Sequence, residues 1–247
     1  MLDISLFGQR AFSGVSVATF CIAAGMFALF PYMSIYLQDI LGYSPLAAGL
    51  RFLPITVFVF VVPIATRNLS SRVPMWALLS SSLAVVALGA LLMFNISPDS
   101  TWLALLPGFI VAGLGIGLAN PTIAAAALRV VDPARTGMAS GLSNTCRLGG
   151  LSMGVAVLGA VLQVRVGHHL SAAGFHSKEL ASAVSSSGLR AAQGNSALAA
   201  VANDAFVSGL RLVFLIGFLI VLVGSIATAV LVRRPVEAPQ PVVEPAR

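Results

Sequence analysis

Residues 107–164 read PGFIVAGLGIGLANPTIAAAALRVVDPARTGMASGLSNTCRLGGLSMGVAVLGAVLQV, and this stretch decides the class of fold. Two segments of apolar and small residues flank a short charged turn, and each is long enough to cross a bilayer as a helix. Asn120, Asn144 and Arg147 lie inside these segments. Because amide and guanidinium groups in hydrocarbon need polar partners or water, the three residues mark a candidate functional site.

The composition of the whole chain agrees with this interpretation. Hydrophobic residues make up 58% and charged residues 9%, and the mean hydropathy is +0.97, whereas soluble domains carry roughly 25% charged residues. The sequence therefore predicts a polytopic membrane protein with the lipid bilayer as its first partner. The basic pI does not indicate nucleic-acid binding, because the basic residues are scattered singly between apolar segments.

Six apolar segments are long enough to span a bilayer of about 30 Å. The predicted fold is an all-α membrane protein with six transmembrane helices. Five spans occupy residues 1–164, a polar outer loop occupies 165–208, the sixth span occupies 209–232, and a cytoplasmic tail occupies 233–247. The first five spans are expected at about 12–37, 45–66, 74–95, 102–127 and 137–164.

Charge in the short loops predicts the orientation. One set of loops and ends carries the basic residues Arg10, Arg67, Arg72, Arg129, Arg135, Arg233 and Arg234. The opposite short loops carry only Asp39 and Asp99, although the long polar loop has three basic residues of its own. The positive-inside rule then places both termini in the cytoplasm of a multi-pass protein.

The starts of the second and fifth spans resemble one another. Ser44-Pro45 is followed by Gly49, and Asp132-Pro133 is followed by Gly137. Each pair combines a helix-capping residue with proline at the first helical position. Since the two starts fall on opposite membrane faces, the pattern predicts an inverted repeat of three plus three helices, with chance as the alternative.

Glycines in the central segments are spaced four residues apart, which allows helix backbones to approach closely in lipid. The pairs are Gly113 and Gly117, Gly137 and Gly141, and Gly150 and Gly154. Their predicted role is close helix packing, at contacts that slide during gating.

Arg147 is the residue hardest to explain as structure alone. It lies about 15 Å into its span, near the bilayer centre, where an arginine costs about 2.5–3.5 kcal/mol to insert. Asn144 shares its helix face, Asn120 lies at a similar depth in the preceding span, and Pro121 removes a backbone hydrogen bond beside Asn120. The four residues predict either a translocation pathway in the protein interior or an interhelical polar clamp without a ligand. Arg51, nearer the outer side, either snorkels to the interface or lines an outer vestibule.

No catalytic or metal-binding arrangement is visible in the sequence. No His, Asp or Glu lies within the predicted spans to act as a base, and the three histidines have no acidic or cysteine partners at ligand spacing. Cys21 and Cys146 lie in apolar segments without a CxxC pattern. The chain is therefore expected not to be an enzyme and to have neither a metal nor a cofactor.

Four stretches together resemble a known family: LDISLFGQRAF, GYSPLAAGLRFLP, LLPGFIVAGLGIGLANPTIAAAAL and DPARTGMASGLSNTCRLGGLSMGVAVLGAVLQ. In order and spacing they are similar to the carboxyl-terminal half of the major facilitator superfamily, above all its fourteen-span drug:proton antiporters. The resemblance places Arg51, Asn144 and Arg147 on family-motif positions. The RNLSSR loop, with Arg67 and Arg72, is similar to the family's cytoplasmic basic loop, although a threonine stands where glycine is common.

The resemblance implies six helices forming one half of a two-domain transporter of the inner (plasma) membrane. The implied function is export of small hydrophobic or cationic drugs, driven by a proton gradient. The sequence then predicts a truncated or split carboxyl-terminal half, whose transport requires either a missing amino-terminal half or a second copy as a homodimer. The alternative is a remnant or regulatory subunit that pairs with another permease without transporting.

Overall fold

The computed structural model of the protein describes residues 10–67, 73–98, 100–130, 136–175, 177–188 and 196–232. Within these residues all regular structure is helical, and six stretches are long and apolar enough to cross a membrane. The stretches are Phe12–Ile40, Pro45–Ala65, Met75–Asn95, Leu106–Ala126, Gly137–Ala172 and Leu198–Val232. The predicted fold class of six transmembrane helices is confirmed.

The first two spans are interrupted, and prolines mark the breaks. The first consists of α1 (Arg10–Gly25), a 3-10 turn (Phe27–Leu29), α2 (Phe30–Ile35) and a π-helical turn (Tyr36–Ile40). The second consists of α3 (Pro45–Arg51) and α4 (Leu53–Ala65). Pro31 and Pro54 stand in the first turns of α2 and α4, where a missing backbone N–H costs least. Ser44 caps α3, its hydroxyl accepting from the Ala47 N–H at 3.3 Å.

The remaining elements are longer and mostly uninterrupted. They are α5 (Met75–Leu92), α6 (Leu106–Val130), α7 (Thr136–Ala172), a short α8 (Lys178–Ser187) and α9 (Ser196–Val232). Helices α7 and α9 both extend well into the polar segment 165–208, where alanine and serine allow a helix to continue. The helical spans also include two carboxylates that the predicted bounds had left outside. Asp39 lies in the π-helical turn of the first span, and Asp204 lies in α9.

The contacts of α1 and α6 are related as in an inverted repeat, although the contact between α7 and α9 has no counterpart of similar extent between α4 and α5. Helix α6 packs against α4 and α5, and helix α1 packs against α7 and α9. The repeat matches α1 with α6, α4 with α7 and α5 with α9. When each helix is replaced by its match, the contacts of α6 become those of α1. The Asp132-Pro133 start that was matched to Ser44-Pro45 lies outside the described residues.

Four of the predicted packing glycines lie at two crossings that this exchange relates. Gly113 and Gly117 face α4, and a Cβ added to Gly113 would lie 2.7 Å from the Ile55 carbonyl oxygen. Gly150 and Gly154 face α1, and a Cβ added to Gly150 would lie 2.5 Å from the Phe20 carbonyl oxygen. Any larger residue at these sites would force the helix backbones apart.

The other glycine pair behaves differently. A Cβ added to Gly137 or Gly141 would meet no atom of the described residues within 4 Å. Close packing among the described residues therefore does not explain this pair. The crossing of α1 with α9 instead uses Gly25 and Gly217, where a Cβ on Gly217 would lie 2.5 Å from the Gly25 carbonyl oxygen. These two glycines come from distant segments, so no spacing rule in the sequence pairs them.

Candidate translocation site

A cavity of about 400 Å³ opens between α1, α6 and α7. It brings together three of the residues singled out in the sequence, Asn120, Asn144 and Arg147. The other lining residues are Thr19, Ile22, Phe27, Ile123, Ala124, Ser140 and Ser143. The wall therefore combines hydroxyl and amide groups with aliphatic and aromatic surface, a mixture typical of sites for small organic molecules.

Arg147 carries the cavity's charge. Its Nη2 donates to Oδ1 of Asn144 at 2.9 Å, one turn earlier on the same helix. No carboxylate lines the cavity, and among the residues that the structure describes Arg147 has no ion pair. Both side chains are exposed on the surface of this chain. An exposed guanidinium on a membrane-spanning helix requires water or a further polar partner.

The position of these groups follows from the two faces of α7. One face is buried and packs against the bundle through a spacing of four residues: Gly150, Gly154, Leu158, Leu162, Val166 and Leu170. Ser140, Asn144 and Arg147 lie three or four residues apart on an exposed face. Only 22% of the apolar window of this span is buried, compared with 78% in the first span. The polar face of α7 is thus a surface that no other part of the described chain covers.

Pro121 does not join Asn120 in this cavity. It lines a separate cavity of about 270 Å³ between α4, α5 and α6, together with Arg67. Helix α6 continues through Pro121 without a break. Asn120 and Pro121 therefore line different cavities, because the side chains of adjacent residues on a helix point about 100° apart.

Arg51 lies apart from both cavities, in an aromatic setting. Its guanidinium carbon lies 3.4 Å from the centroid of the Tyr43 ring and 5.6 Å from that of Trp102. Its Nη1 donates to the Ala47 carbonyl oxygen at 2.7 Å. Tyrosine and tryptophan are the residues that gather at membrane interfaces. This setting favours the snorkelling interpretation of Arg51 over a place in a vestibule.

The contact with Tyr43 leads to a prediction for stability. Replacing Tyr43 with leucine is expected to lower the free energy of unfolding by about 1 kcal/mol, because the cation–π contact is lost. Replacing it with phenylalanine keeps the ring face and should change little. Thermal unfolding of both variants in detergent measures the difference. Equal losses for leucine and phenylalanine would assign the effect to the tyrosine hydroxyl instead.

Of the predicted basic loop, only Arg67 is described, and Arg72 lies outside the described residues. Arg67 is exposed where α4 ends. Thr66, at the position where glycine is common, has φ −104° and donates its hydroxyl to the Val62 carbonyl oxygen at 2.7 Å. A non-glycine residue adopts this backbone conformation without strain, so the turn does not need glycine.

Several lining residues escaped the sequence analysis. Ser140 and Ser143 precede Asn144 and Arg147 by one turn, so helical periodicity would have found them. Thr19 comes from α1 and Phe27 from the 3-10 turn that follows it, and nothing in the sequence links them to α6 or α7. Among the described residues, no three His, Cys, Asp or Glu side chains are grouped so that they would hold a metal ion.

Comparison with known protein families gives a match over residues 4–155, which include the first four spans and much of α7. The match is to the Major Facilitator Superfamily. The chain belongs to this superfamily. Its members are transporters and not enzymes, which agrees with the prediction that the chain is not an enzyme.

Individual members of the superfamily show similarity at about 30% identity. The multidrug efflux pump LfrA of Mycolicibacterium smegmatis is 30% identical over 246 residues, covering 95% of this chain and 48% of LfrA. The multidrug resistance protein Stp of Mycobacterium tuberculosis is 31% identical over 163 residues, covering 66% of this chain and 30% of Stp. The puromycin resistance protein pur8 of Streptomyces alboniger is 36% identical over 143 residues, covering 56% of this chain and 28% of pur8. The chain spans at most about half the length of these relatives.

Proposed function

We propose that this chain acts as the carboxyl-terminal half of a multidrug efflux permease that exchanges drugs for protons. LfrA is named a multidrug efflux pump, Stp a multidrug resistance protein and pur8 a puromycin resistance protein, and these names support export of drugs as the activity. The observation that carries the proposal is the exposed polar face of α7, with Arg147 and Asn144 at its cavity. A surface of this kind is unstable against lipid and requires a protein or aqueous partner.

The partner that fits best is a second six-helix body packed against this face. It is either an amino-terminal half or a second copy of this chain. Transporters of this architecture move substrate by rocking one half against the other around a central site. One six-helix half has nothing to rock against, so we propose that transport requires the assembled pair.

The charge of the cavity bears on the substrate. Ile22, Phe27 and Ile123 offer apolar surface to a hydrophobic drug, and the asparagines offer hydrogen bonds. Arg147 repels cations, so a cationic drug requires negative charge from the partner body. Proton coupling also requires an acidic group from the partner body, since no carboxylate of the described residues lines this cavity. In this proposal the partner supplies the proton-accepting acid, and neither a metal nor an organic cofactor takes part.

We further propose that the chain lies in the inner (plasma) membrane with both termini in the cytoplasm. The distribution of arginines among the short loops supports this orientation. A cysteine introduced at Arg234 should react with a membrane-impermeant maleimide only after the cells are opened. A cysteine introduced at Ser100 should react in intact cells.

The proposed function is tested by efflux of the hydrophobic cation ethidium from cells lacking their own pumps. Cells that produce this chain together with the amino-terminal half of LfrA should export the dye, and collapse of the proton gradient should stop export. Export by this chain alone would identify the homodimer as the active form. If neither combination exports despite good membrane expression, the proposal fails and a non-transporting subunit becomes the better interpretation.

A further inference from the structure

A second groove lies between α7 and α9, at the end of the bundle where α7 ends and α9 begins. Its volume is about 400 Å³, and its lining residues are Ala160, Val161, Val164, Arg165, His168 and Leu212. The lower part is aliphatic, while a guanidinium and an imidazole stand at the upper end. Arg165 is about 27 Å from Arg147 along α7, so this groove is distinct from the candidate translocation cavity.

The depth of the groove follows from α9. Residues 212–232 contain no charge and extend over about 31 Å as a helix, the thickness of the hydrocarbon layer. Arg211 precedes this run, and its Nε donates to the Ile96 carbonyl oxygen at 2.5 Å, just beyond the end of α5. The boundary of the hydrocarbon therefore lies near Arg211. Leu212 lies just inside this boundary, and Arg165 lies at the level of the lipid headgroups.

Arg165 is held in place without being neutralised. Its Nε donates a long hydrogen bond of 3.4 Å to the Ser208 hydroxyl, which lies 2.9 Å from Nε2 of His169. Three acidic side chains of the described residues belong to this end of the bundle: Asp204 on α9 and Glu179 on α8, which are exposed, and Asp39, which is half-buried beside Gly188 at the end of the first span. Among the described residues Arg165 forms no ion pair. Its terminal N–H groups therefore remain available to an anion.

A neighbouring cavity extends the site toward α8. Its volume is about 450 Å³, and it shares Val164 and His168 with the groove. Gln163, Ser171 and Ser177 supply amide and hydroxyl groups to its wall. The two cavities together thus offer an aliphatic channel, a cationic centre and a polar pocket in that order along α7.

We propose that this groove binds an anionic phospholipid, with phosphatidylglycerol as the headgroup class that fits best. The phosphate would contact Arg165 and His168, because a planar guanidinium pairs well with phosphate oxygens. One acyl chain would lie along Val161, Val164 and Leu212, and the glycerol hydroxyls would reach the polar pocket. Basic pockets between transmembrane helices are known to bind acidic headgroups. In the proposed orientation this lipid belongs to the outer leaflet, and its binding does not depend on transport.

The test is native mass spectrometry of the purified full chain in detergent, titrated with phosphatidylglycerol or phosphatidylcholine. The unsubstituted chain should bind the former about tenfold more tightly. Arg165→Gln should weaken phosphatidylglycerol binding about tenfold, since a charge-assisted hydrogen bond is lost. Arg147→Gln removes the same charge from the same helix and should leave binding unchanged. Val164→Trp fills the channel and should weaken binding of both lipids.

Four results would overturn the proposal. Equal binding of the two lipids, or an equal loss in Arg147→Gln and Arg165→Gln, would show that general charge and not this groove attracts the lipid. Displacement of the lipid by millimolar inorganic phosphate would show a free-anion site instead. Circular dichroism and elution volume show whether Arg165→Gln folds. If it does not, Arg165→Lys and Val164→Trp are titrated with phosphatidylglycerol in its place. Unchanged phosphatidylglycerol binding in both of these variants would also exclude the groove.

Discussion

Ethidium efflux is expected to fall about tenfold or more when Arg147 is replaced by alanine in the assembled transporter. The substitution removes the charge of the cavity and the hydrogen bond from Nη2 to Asn144. A charge-assisted hydrogen bond contributes about 1.5–3 kcal/mol, which corresponds to a change of roughly tenfold to a hundredfold. Fluorescence of the dye in preloaded cells measures the loss, and immunoblotting of membranes shows whether expression is unchanged.

Thr145 provides the matched control for Arg147. It is exposed on the same helix, but its hydroxyl donates to the Gly141 carbonyl oxygen at 3.0 Å and does not line the cavity. Thr145→Val should therefore keep efflux close to the unsubstituted level. Export by Arg147→Ala at the same rate as Thr145→Val would reduce Arg147 to a structural residue of the α7 surface.

Lysine at this position separates charge from shape. Arg147→Lys keeps a positive charge at the cavity. It loses the planar guanidinium, which hydrogen-bonds to Asn144 and still presents other N–H groups to the cavity. Partial recovery of efflux is expected if the charge itself is used during transport. Efflux as low as in Arg147→Ala would show that the geometry of the guanidinium is what matters.

Much of the fold was predictable because the bilayer imposes strong rules. Apolar length alone identified six spans, and low charge excluded a soluble domain. The ends of the last two spans were not predictable in the same way. Residues 165–172 and 196–208 are polar enough to leave the membrane, but α7 and α9 continue through them. The alanines of 196–208 favour a helix, whereas in 165–172 the buried Val166 and Leu170 pack the end of α7 against the bundle.

The site was predictable where its residues share one helix or lie at a similar depth in consecutive spans, as Asn120 and Asn144 do. Asn144 and Arg147 are three residues apart, and the structure joins them by a hydrogen bond. The sequence did not pair Arg51 with Tyr43 and Trp102, because that contact depends on how separate elements pack. The 3-10 and π-helical turns of the first span were not predicted, since they preserve the apolar pattern of a straight helix.

The packing of α7 on α1 is expected to fail when Gly154 is replaced by leucine. A Cβ added there would lie 2.6 Å from the Ala24 Cα atom and 2.8 Å from the Ala28 Cβ atom, and it would also collide with the Ala24 carbonyl oxygen. Two of these three atoms belong to the backbone of α1, which cannot move aside as a side chain does. Overpacking of this kind lowers the free energy of unfolding by about 1–3 kcal/mol. We expect a loss at the upper end of this range, because a full leucine side chain would press against a helix backbone.

Gly141→Leu is the matched control, because it places the same side chain on the same helix where no described atom lies within 4 Å. Thermal unfolding in detergent should show a strong loss for Gly154→Leu and almost none for Gly141→Leu. Gly113→Leu, at the crossing that the inverted repeat relates to this one, should reproduce the loss through the Ile55 carbonyl oxygen. A stable Gly154→Leu variant would mean that α1 and α7 are farther apart than the structure shows. A loss confined to Gly154 and absent at Gly113 would show that the two crossings, although related by the repeat, do not contribute equally to stability.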